Sequence, residues 1–442
     1  MKPGARDAIR AVSTDFTEFD VDDGRYGPDG PLDWPGYATQ RESAARLTDT
    51  AESVVCGRAR VGAAEVVLVS FDFRYLGGSV GTGTGARIVH AFDRARVSGL
   101  PLVSLIATGG TRMQEGMLSL RQLQLVARAA ARLRESGLPH VAVLQDPTTG
   151  GVWASLGAGA DVILALPGAQ VAFAGRRVRP PRYADDPAFT AEHQYAAGHV
   201  DELVAPDQLP TRLADWLVHL GQPAPGSIDI PRPLGDQTPR ARDAWHAVQQ
   251  ARSPHRPRAA AYLDDYFDSR VLIRGDRTGG VDEGMLCGMG RRRGHSIAYA
   301  AQTGTATTPA GFRTAARLIR LADRLGLPVL TLVDTPGAAA DPEAERGGTG
   351  PAIATLFATI AEARVPVTTL VVGEGGSGGA LALCSQDRLW ITPDAYFSVI
   401  APELAAQILK LDPSEVPELA GRLRLRPEDL LELGVVHGIA TG

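Results

Sequence analysis

Short apolar runs alternate with longer amphipathic stretches along most of the chain. Residues 102–106 and 329–333 are mainly apolar, follow Gly-Leu-Pro and end before a glycine turn, which predicts two buried strands. A helix is predicted for residues 112–134, where apolar side chains lie near one face: Met113, Met117, Leu120, Val126, Ala130 and Leu133. Further elements complete the pattern, with strands at residues 141–144 and 369–372 and helices at residues 88–96 and 312–325. Strands that alternate with helices indicate an α/β fold.

The chain also repeats itself. Residues 99–110, GLPLVSLIATGG, match residues 326–337, GLPVLTLVDTPG, at an offset of 227. Asp161 matches Asp387 at an offset of 226, and the glycine pair at 150–151 is matched to the pair at 378–379 at an offset of 228. The repeat predicts two copies of one domain of about 180–200 residues.

Composition divides the chain further. Residues 222–257 carry seven prolines and are expected to be a linker along the surface, with one helical stretch near 241–251. Residues 1–45 are polar and rich in Asp, Gly and Pro, so we expect an irregular N-terminal arm. The two predicted domains are then residues 46–221 and 258–442.

The 442 residues have the composition of an ordinary globular protein, with 44% hydrophobic and 21% charged residues. The net charge of −5 gives no sign of a nucleic-acid partner. No apolar run reaches the ~18 residues of a membrane span, and the start is not a signal peptide, so we expect a cytoplasmic protein with no membrane association. Cys56, Cys287 and Cys384 lie far apart, which fits a reducing compartment and excludes a four-cysteine zinc site. No zinc or other metal is expected.

Glycine-rich runs follow the second apolar run of each copy, at residues 146–151 and 373–379. A Gly-Gly step where a strand leads into a helix exposes backbone N–H groups that no Cβ shields. Such N–H groups can bind an oxyanion, and one donor can lower a reaction barrier by ~3 kcal/mol. The two copies therefore predict two oxyanion holes, which suits a reaction that passes between two carbonyl-derived anions.

The second glycine run also matches two other motifs. Residues 373–378, GEGGSG, fit a dinucleotide-binding fingerprint with Asp394 as the acidic residue, although the run at 146–151 lacks this pattern. Ser377 lies in a G-x-S-x-G nucleophile elbow, and Asp412 and His437 follow in the order of a hydrolase triad. A serine nucleophile leaves the repeat unexplained, because Gly150 stands at the position of Ser377 at an offset of 227.

Several motifs resemble those of a known family. The first copy contains YLGGSVG at 75–81, ATGGTRMQEG at 107–116, DPTTGG at 146–151 and FAG at 173–175. The second contains GDR at 275–277, DTPGA at 334–338, GEGGSGG at 373–379 and SVI at 398–400. These motifs resemble the β and α subunits, respectively, of the carboxyltransferase component of bacterial acetyl-CoA carboxylase. The resemblance covers about residues 50–205 and 260–440.

The resemblance implies two tandem crotonase-like domains, each a ββα superhelix, related by internal duplication. It implies transfer of a carboxyl group from carboxybiotin to the α-carbon of an acyl-CoA, with acetyl-CoA to malonyl-CoA as the expected reaction. One hole would hold the thioester enolate, and the other the anionic oxygen of biotin. The deprotonated biotin nitrogen would take the α-proton, so no side chain need act as the base.

The resemblance also assigns site residues. Gly150 and Gly151 would form the first hole, and Gly378 and Gly379 the second. The remaining residues would bind substrate: Gly77, Gly78, Arg87, Gly109, Gly110, Arg112, Gly337, Ala338, Gly375 and Gly376. For Arg87 and Arg112, which are candidates for contacts to the CoA phosphates, a plain surface or ion-pair role stays open.

The partners implied are a biotin carboxyl carrier protein, which would carry the biotin, and a biotin carboxylase. Family active sites lie between the β-like half of one chain and the α-like half of another, so we expect a homodimer or a higher homo-oligomer. Departures from the family motifs at Arg176, Ala339 and Leu404 leave other functions open. These are carboxylation of a different acyl thioester, biotin-independent decarboxylation of a malonyl thioester, and a catalytically inactive subunit.

Overall fold

A computed structural model describes residues 3–21, 26–235 and 241–441. Internal contacts divide the chain into two compact units, residues 1–220 and 221–442. Within the described ranges, no helix combines the length and apolar character needed to cross a bilayer. The finer partition into arm, linker and two domains stays a prediction.

The first unit is a mixed sheet of eight strands with helices packed on it. The strands are β1 (Thr14–Glu18), β2 (Val54–Val61), β3 (Ala64–Phe71), β4 (Leu102–Thr108), β5 (His140–Thr149), β6 (Val162–Ala165), β7 (Val171–Ala172) and β8 (Glu202–Leu203). The helices are α1 (Ala5–Val12), α2 (Tyr37–Thr48), α3 (Thr82–Ser98), α4 (Gly116–Glu135), α5 (Ala191–Ala196) and α6 (Leu209–His219). The strand order is β1-β2-β3-β4-β5-β6-β8, and β7 pairs with β5. Strands β1 to β3 are antiparallel, and the pairs from β3 onward are parallel.

The second unit has the same architecture. Its strands are β9 (Ser269–Ile273), β10 (Met285–Arg292), β11 (His295–Gln302), β12 (Val329–Thr335), β13 (Val367–Gly376), β14 (Leu389–Ile391), β15 (Tyr396–Ser398) and β16 (Gly438–Ile439). Its first five helices are α7 (Ala244–Ala251), α8 (Ala259–Tyr266), α9 (Pro309–Leu325), α10 (Pro342–Arg346) and α11 (Thr349–Glu362). Four more helices follow, namely α12 (Ser377–Leu381), α13 (Pro402–Leu409), α14 (Val416–Arg422) and α15 (Pro427–Glu432). The strand order is β9-β10-β11-β12-β13-β14-β16, and β15 pairs with β13.

The predicted internal duplication is confirmed strand by strand, and the strand registers fix its offset. Thr108 of β4 pairs with Thr148 of β5, and Thr335 of β12 pairs with Gly375 of β13, so the offset is 227 at both positions. The offset of 228 expected for the glycine pairs is therefore wrong. Gly151 corresponds to Gly378, whereas Gly150 corresponds to Ser377.

Two sequence expectations about the first unit are also wrong. Residues 1–45 are not irregular, because they contain α1, β1 and most of α2, apart from positions 1–2 and 22–25, which lie outside the described residues. Helix α1 buries Ala5, Ala8, Ile9 and Val12, which recur at helical spacing in a stretch dominated by small and polar residues. In α4 and the turn before it, Val126 and Leu133 are buried as expected, but three members of the predicted face are exposed: Met113, Met117 and Leu120.

The segment 222–257 belongs to the second unit, and it lies only partly along the surface: residues 222–227 are mostly exposed, and the helix expected near 241–251 is α7. Its helix α7 buries Ala247 and Val248 in a cluster with Tyr396 of β15 and Leu425. Ile228 packs in the core formed with α8 and strands β11 to β13. The prolines at 231 and 233 are buried, those at 223, 225 and 254 are exposed, and Pro239 lies outside the described residues.

Candidate active site

In the first unit, the turn that follows β4 is tied down by one threonine. The Thr108 hydroxyl donates to Gly78 O over 2.7 Å and accepts from the Gly110 N–H over 3.0 Å. The Gly109 N–H donates to Gly77 O over 2.8 Å. The N–H groups of Gly109 and Gly110 are therefore used within the protein. The next one, that of Thr111, has no acceptor in the part of the chain that the structure describes.

The turn that follows β5 touches the first turn through a glycine. Gly150 has a φ of +75°, and its N–H donates to Ala172 O and Phe173 O over 3.1 and 3.0 Å. A Cβ on Gly150 would lie 3.0 Å from the Gly110 Cα. Gly150 thus permits the close approach of the two turns, but its own N–H is occupied. The neighbouring Gly151 N–H has no acceptor among the described residues, which makes Gly151 the donor of this turn.

The second unit repeats this arrangement. The Thr335 hydroxyl accepts from the Gly337 N–H over 3.1 Å and donates to Thr305 O over 2.7 Å. The Ala338 N–H, at the position of Thr111, has no acceptor within the described ranges. The same holds, for those ranges, for the N–H groups of Gly378 and Gly379 at the start of α12.

The glycines of the second run differ in the space around them. A Cβ on Gly379 would lie 2.2 Å from the Ala338 nitrogen, and one on Gly376 would lie 2.0 Å from Pro336 O. A Cβ on Gly375 would lie 2.2 Å from the Phe397 ring. These three glycines let the turns and β15 pack closely. Gly378 is exposed and has no atom within 4 Å of its Cβ position, so a ligand can approach it.

Each unit therefore presents one unpaired backbone N–H group at equivalent positions on each of two touching turns: Thr111 and Gly151, and then Ala338 and Gly378. In the second unit the buried Gly379 adds a further N–H group without an acceptor among the described residues. Paired N–H donors that are already fixed in place can stabilise a developing oxyanion. Thr111 was not among the residues predicted for the site. Its alignment with Ala338 at an offset of 227 was the signal that could have found it.

Arg112 has the ion-pair role that the sequence left open. Its buried guanidinium donates to both carboxylate oxygens of Glu52, over 2.7 and 2.8 Å, and to the Tyr37 hydroxyl over 3.0 Å. Burial alone would raise the pKa of the Glu52 carboxyl, but the charge and hydrogen bonds of Arg112 outweigh burial and hold that pKa below its usual value. Because Arg112 follows Thr111, the buried pair fixes the chain beside a candidate donor.

Arg87 lies elsewhere in the first unit. Its side chain, largely buried in α3, lines an open cavity of about 590 Å³. Arg6, Glu18 and Asp49 line the same cavity, so its walls carry both signs of charge. The glycines of the two turns are not among its lining residues.

The hydrolase triad is not assembled. Asp412 accepts hydrogen bonds from the backbone and hydroxyl of Ser414, and the His437 Nδ1 accepts from the Leu389 N–H over 3.2 Å. Among the described residues, neither side chain bonds to Ser377. Asp394, the acidic residue of the dinucleotide fingerprint, is buried, and a Cβ on Gly235 would lie 2.1 Å from its Oδ2.

Comparisons with known proteins agree with the duplicated architecture. A family model described as "Carboxyl transferase domain" matches residues 26–197, and one described as "Acetyl co-enzyme A carboxylase carboxyltransferase-like" matches residues 236–441. The solved structure of transcarboxylase 12S, a hexamer with methylmalonyl-coenzyme A and methylmalonic acid bound, superposes with a TM-score of 0.78 at 22% identity. That match covers 100% of this chain and 87% of the other, and it confirms the predicted tandem crotonase-like fold.

Curated relatives match over nearly the whole chain. The "Acetyl-coenzyme A carboxylase carboxyl transferase subunits beta/alpha" of Salinispora arenicola is 42% identical, over 93% of this chain and 77% of the relative. The "Probable biotin-dependent acyl-coenzyme A carboxylase beta3 subunit" of Mycobacterium bovis is 34% identical, over 91% of this chain and 82% of the relative. The chain belongs to the family of acetyl-coenzyme A carboxylase carboxyl transferases with fused beta and alpha subunits.

Proposed function

We propose that this enzyme transfers a carboxyl group from carboxybiotin to the α-carbon of an acyl-CoA, with conversion of acetyl-CoA to malonyl-CoA as the expected reaction. Family membership supports the class of reaction. The observation that carries the site assignment is the matched pair of unpaired N–H groups in each unit: Thr111 with Gly151, and Ala338 with Gly378.

In the first unit, the N–H groups of Thr111 and Gly151 bind the thioester oxygen as it gains negative charge. Thr108 holds the Gly109–Gly110 turn in place before substrate binds, so these donors need no reorganisation during the reaction. The CoA side of the site is bounded by the close approach of Gly110 to Gly150.

In the second unit, the N–H groups of Ala338 and Gly378 bind the anionic oxygen of the biotin ring. The residues fit this group, because both N–H groups are unpaired in the described structure and the space beside Gly378 is open. Carboxybiotin, when bound, supplies the carboxyl group. The chain's part is to hold the ring oxygen and to stabilise its charge.

The proposal includes two separate partners, a biotin carboxyl carrier protein that carries the biotin and a biotin carboxylase that charges it. It also includes assembly as a homodimer or a higher homo-oligomer. A cytoplasmic location is supported by the three free, buried thiols of Cys56, Cys287 and Cys384, which suit a reducing compartment.

The first test uses the purified protein with malonyl-CoA, with and without biocytin, and follows acetyl-CoA by chromatography. We expect acetyl-CoA only when biocytin is present, since the reverse reaction needs an acceptor for the carboxyl group. Equal product in both arms would instead make the protein a biotin-independent decarboxylase. If neither arm gives product, a panel of carboxyacyl-CoAs with biocytin tests other acyl groups, and failure with all of them contradicts the proposal.

A further inference from the structure

Three arginines from the connection before the second sheet contact the strands that lead into the second pair of turns. Arg252 caps the end of α7, and Arg256 and Arg258 follow it. Their partners are Asp334 near the end of β12 and Glu374 near the end of β13. We infer that Arg252 and Arg256 are positioning residues, which hold the donors Ala338 and Gly378 in register with each other.

Arg252 binds Glu374, which lies inside the glycine run. Its Nε donates to the Glu374 Oε1 over 2.9 Å, and its other nitrogens donate to Glu403 of α13. The Tyr396 hydroxyl of β15 donates to the same Glu374 oxygen over 2.5 Å. Glu374 is thus held from two sides, four residues before Gly378.

Arg256 holds the other strand. It is buried, forms an ion pair with the fully buried Asp334 and donates to Val372 O over 3.2 Å. The Asp334 carboxylate also accepts from the Glu374 N–H over 3.2 Å and from Arg258 over 3.2 Å. Asp334 stands four residues before Ala338. One network therefore connects the strand that leads to each donor.

The network matters for catalysis because an oxyanion hole works only when both donors point at the same place. A displacement of about 1 Å in a reacting group can cost on the order of 100-fold in rate. Such a loss falls on stabilisation of the transition state, so kcat falls while the KM for a substrate held elsewhere stays the same. This readout rests on the proposed function.

The test compares two arginines whose ion pairs have the same length and similar exposure, although Arg252 also binds Glu403 and Tyr396. Arg252 pairs with Glu374 over 2.9 Å with side-chain exposures of 32% and 12%, and Arg426 pairs with Asp429 over 2.9 Å with exposures of 35% and 14%. In the full chain, Arg252→Met should lower kcat about 10- to 100-fold with malonyl-CoA and biocytin, while the KM for malonyl-CoA stays within about twofold. Arg426→Met should leave kcat within about twofold, and Arg252→Lys should restore part of the rate lost in Arg252→Met.

A second readout needs no activity. Amide hydrogen exchange of residues 335–339 and 373–379, measured by mass spectrometry, should become several-fold faster in Arg252→Met and stay unchanged in Arg426→Met. If Arg252→Met does not fold, Tyr396→Phe removes the hydroxyl that donates to Glu374 and accepts from Arg252, and it should change the same amides in the same direction. Unchanged exchange in the variants overturns the inference, even if the wild type transfers no carboxyl group. Absence of turnover in the wild type contradicts the proposed function alone.

Discussion

The two units place their N–H donors in the same way but support them with different side chains. In the first unit, the buried Arg112–Glu52 pair lies beside the donor Thr111. At an offset of 227, Ala339 stands where Arg112 would be. In the second unit, the buried Asp334 pairs with Arg256, and Ala107 stands at its position in the first. The two units share the backbone positions of the donors, whereas the ion pairs beside those donors lie at positions that are not equivalent.

The residue before the donor Gly151 also differs from the residue before the equivalent donor Gly378. Gly150 and Ser377 occupy equivalent positions and both have a positive φ, of +75° and +55°. Gly150 could not carry a side chain without moving Gly110, whereas Ser377 is exposed and carries one. The backbone shape of the turn is common to both units, and tolerance of a side chain there depends on how closely the neighbouring turn approaches.

The largest effect is expected from the buried ion pair of the first unit. In Glu52→Gln the buried Arg112 charge keeps one carboxylate within 4 Å among the described residues, that of Glu115 at 3.6 Å, so the free energy of unfolding should fall by about 3 kcal/mol. Urea unfolding measures this change. Glu65→Gln, at the exposed pair with Arg58, should have no measurable effect. Equal stability of Glu52→Gln and the wild type would show that the pair does not support the first turn.

The next largest effect is expected from a side chain introduced at Gly378, a candidate donor of the second unit. Gly378→Val places a side chain in open space, so the protein should fold normally while access to the N–H groups is blocked. Carboxyl transfer should fall on the order of 100-fold, the loss typical of one oxyanion donor. Gly421→Val, at an exposed glycine of α14 that also has no neighbour within 4 Å of its Cβ position, is the matched control. Full activity of Gly378→Val would remove Gly378 from the site.

The two units should also differ in how they contribute to the pH dependence of stability. His140 in β5 is buried beside Phe92 and Ser104, and Val367 stands at its position in the second unit. Burial lowers the pKa of His140 from 6.5 to about 4. The unfolded chain therefore binds a proton that the folded one does not as pH falls from 6.5 to about 4, and the free energy of unfolding falls over that range.

His140→Val, which copies the second unit, should remove this part of the pH dependence. The difference in unfolding free energy between variant and wild type, measured in urea at pH 7.5 and pH 4.5, should change in favour of the variant at the lower pH. Parallel pH profiles for the two proteins would contradict the assignment to His140.

The smallest effect is expected from a substitution of Ser377, which tests whether its hydroxyl takes part in the chemistry. Ser377→Gly gives the second turn the residue of the first and relieves a positive φ, so stability should change by less than about 1 kcal/mol. Turnover should stay within about twofold, because Gly378 keeps its N–H. Complete loss of turnover would mean that the hydroxyl takes part in the chemistry.

Much of this fold could be predicted from the sequence, because its signals are local. The glycines in residues 99–110 and 326–337 bound the same predicted strand and turn in each unit, and the structure has strands β4 and β12 at these positions. The sequence did not indicate which backbone N–H groups of the turns are unpaired and which are hydrogen-bonded within the protein. Gly150 and Gly151 are the same residue type, and only the pairing of β5 with β7 decides which N–H is occupied.

The ion pairs beside the turns could not be predicted from the sequence for a related reason. Arg112 meets Glu52 across 60 residues of chain, and Arg252 meets Glu374 across 122. No periodicity or short motif records such pairs. Helix α1 was missed because it is only eight residues long and half of its buried residues are alanine.

The placement of the arginine-bearing connection has a consequence for dividing the gene. The boundary between the two units falls at residues 220 and 221, before the connection begins. Two polypeptides encoded on either side of that boundary would each keep their own ion pairs. A break placed after residue 257, where the proline-rich stretch ends, would leave Arg252 and Arg256 on the wrong polypeptide. The fragment that contains the second sheet would then carry Asp334 and Glu374 without their main cations.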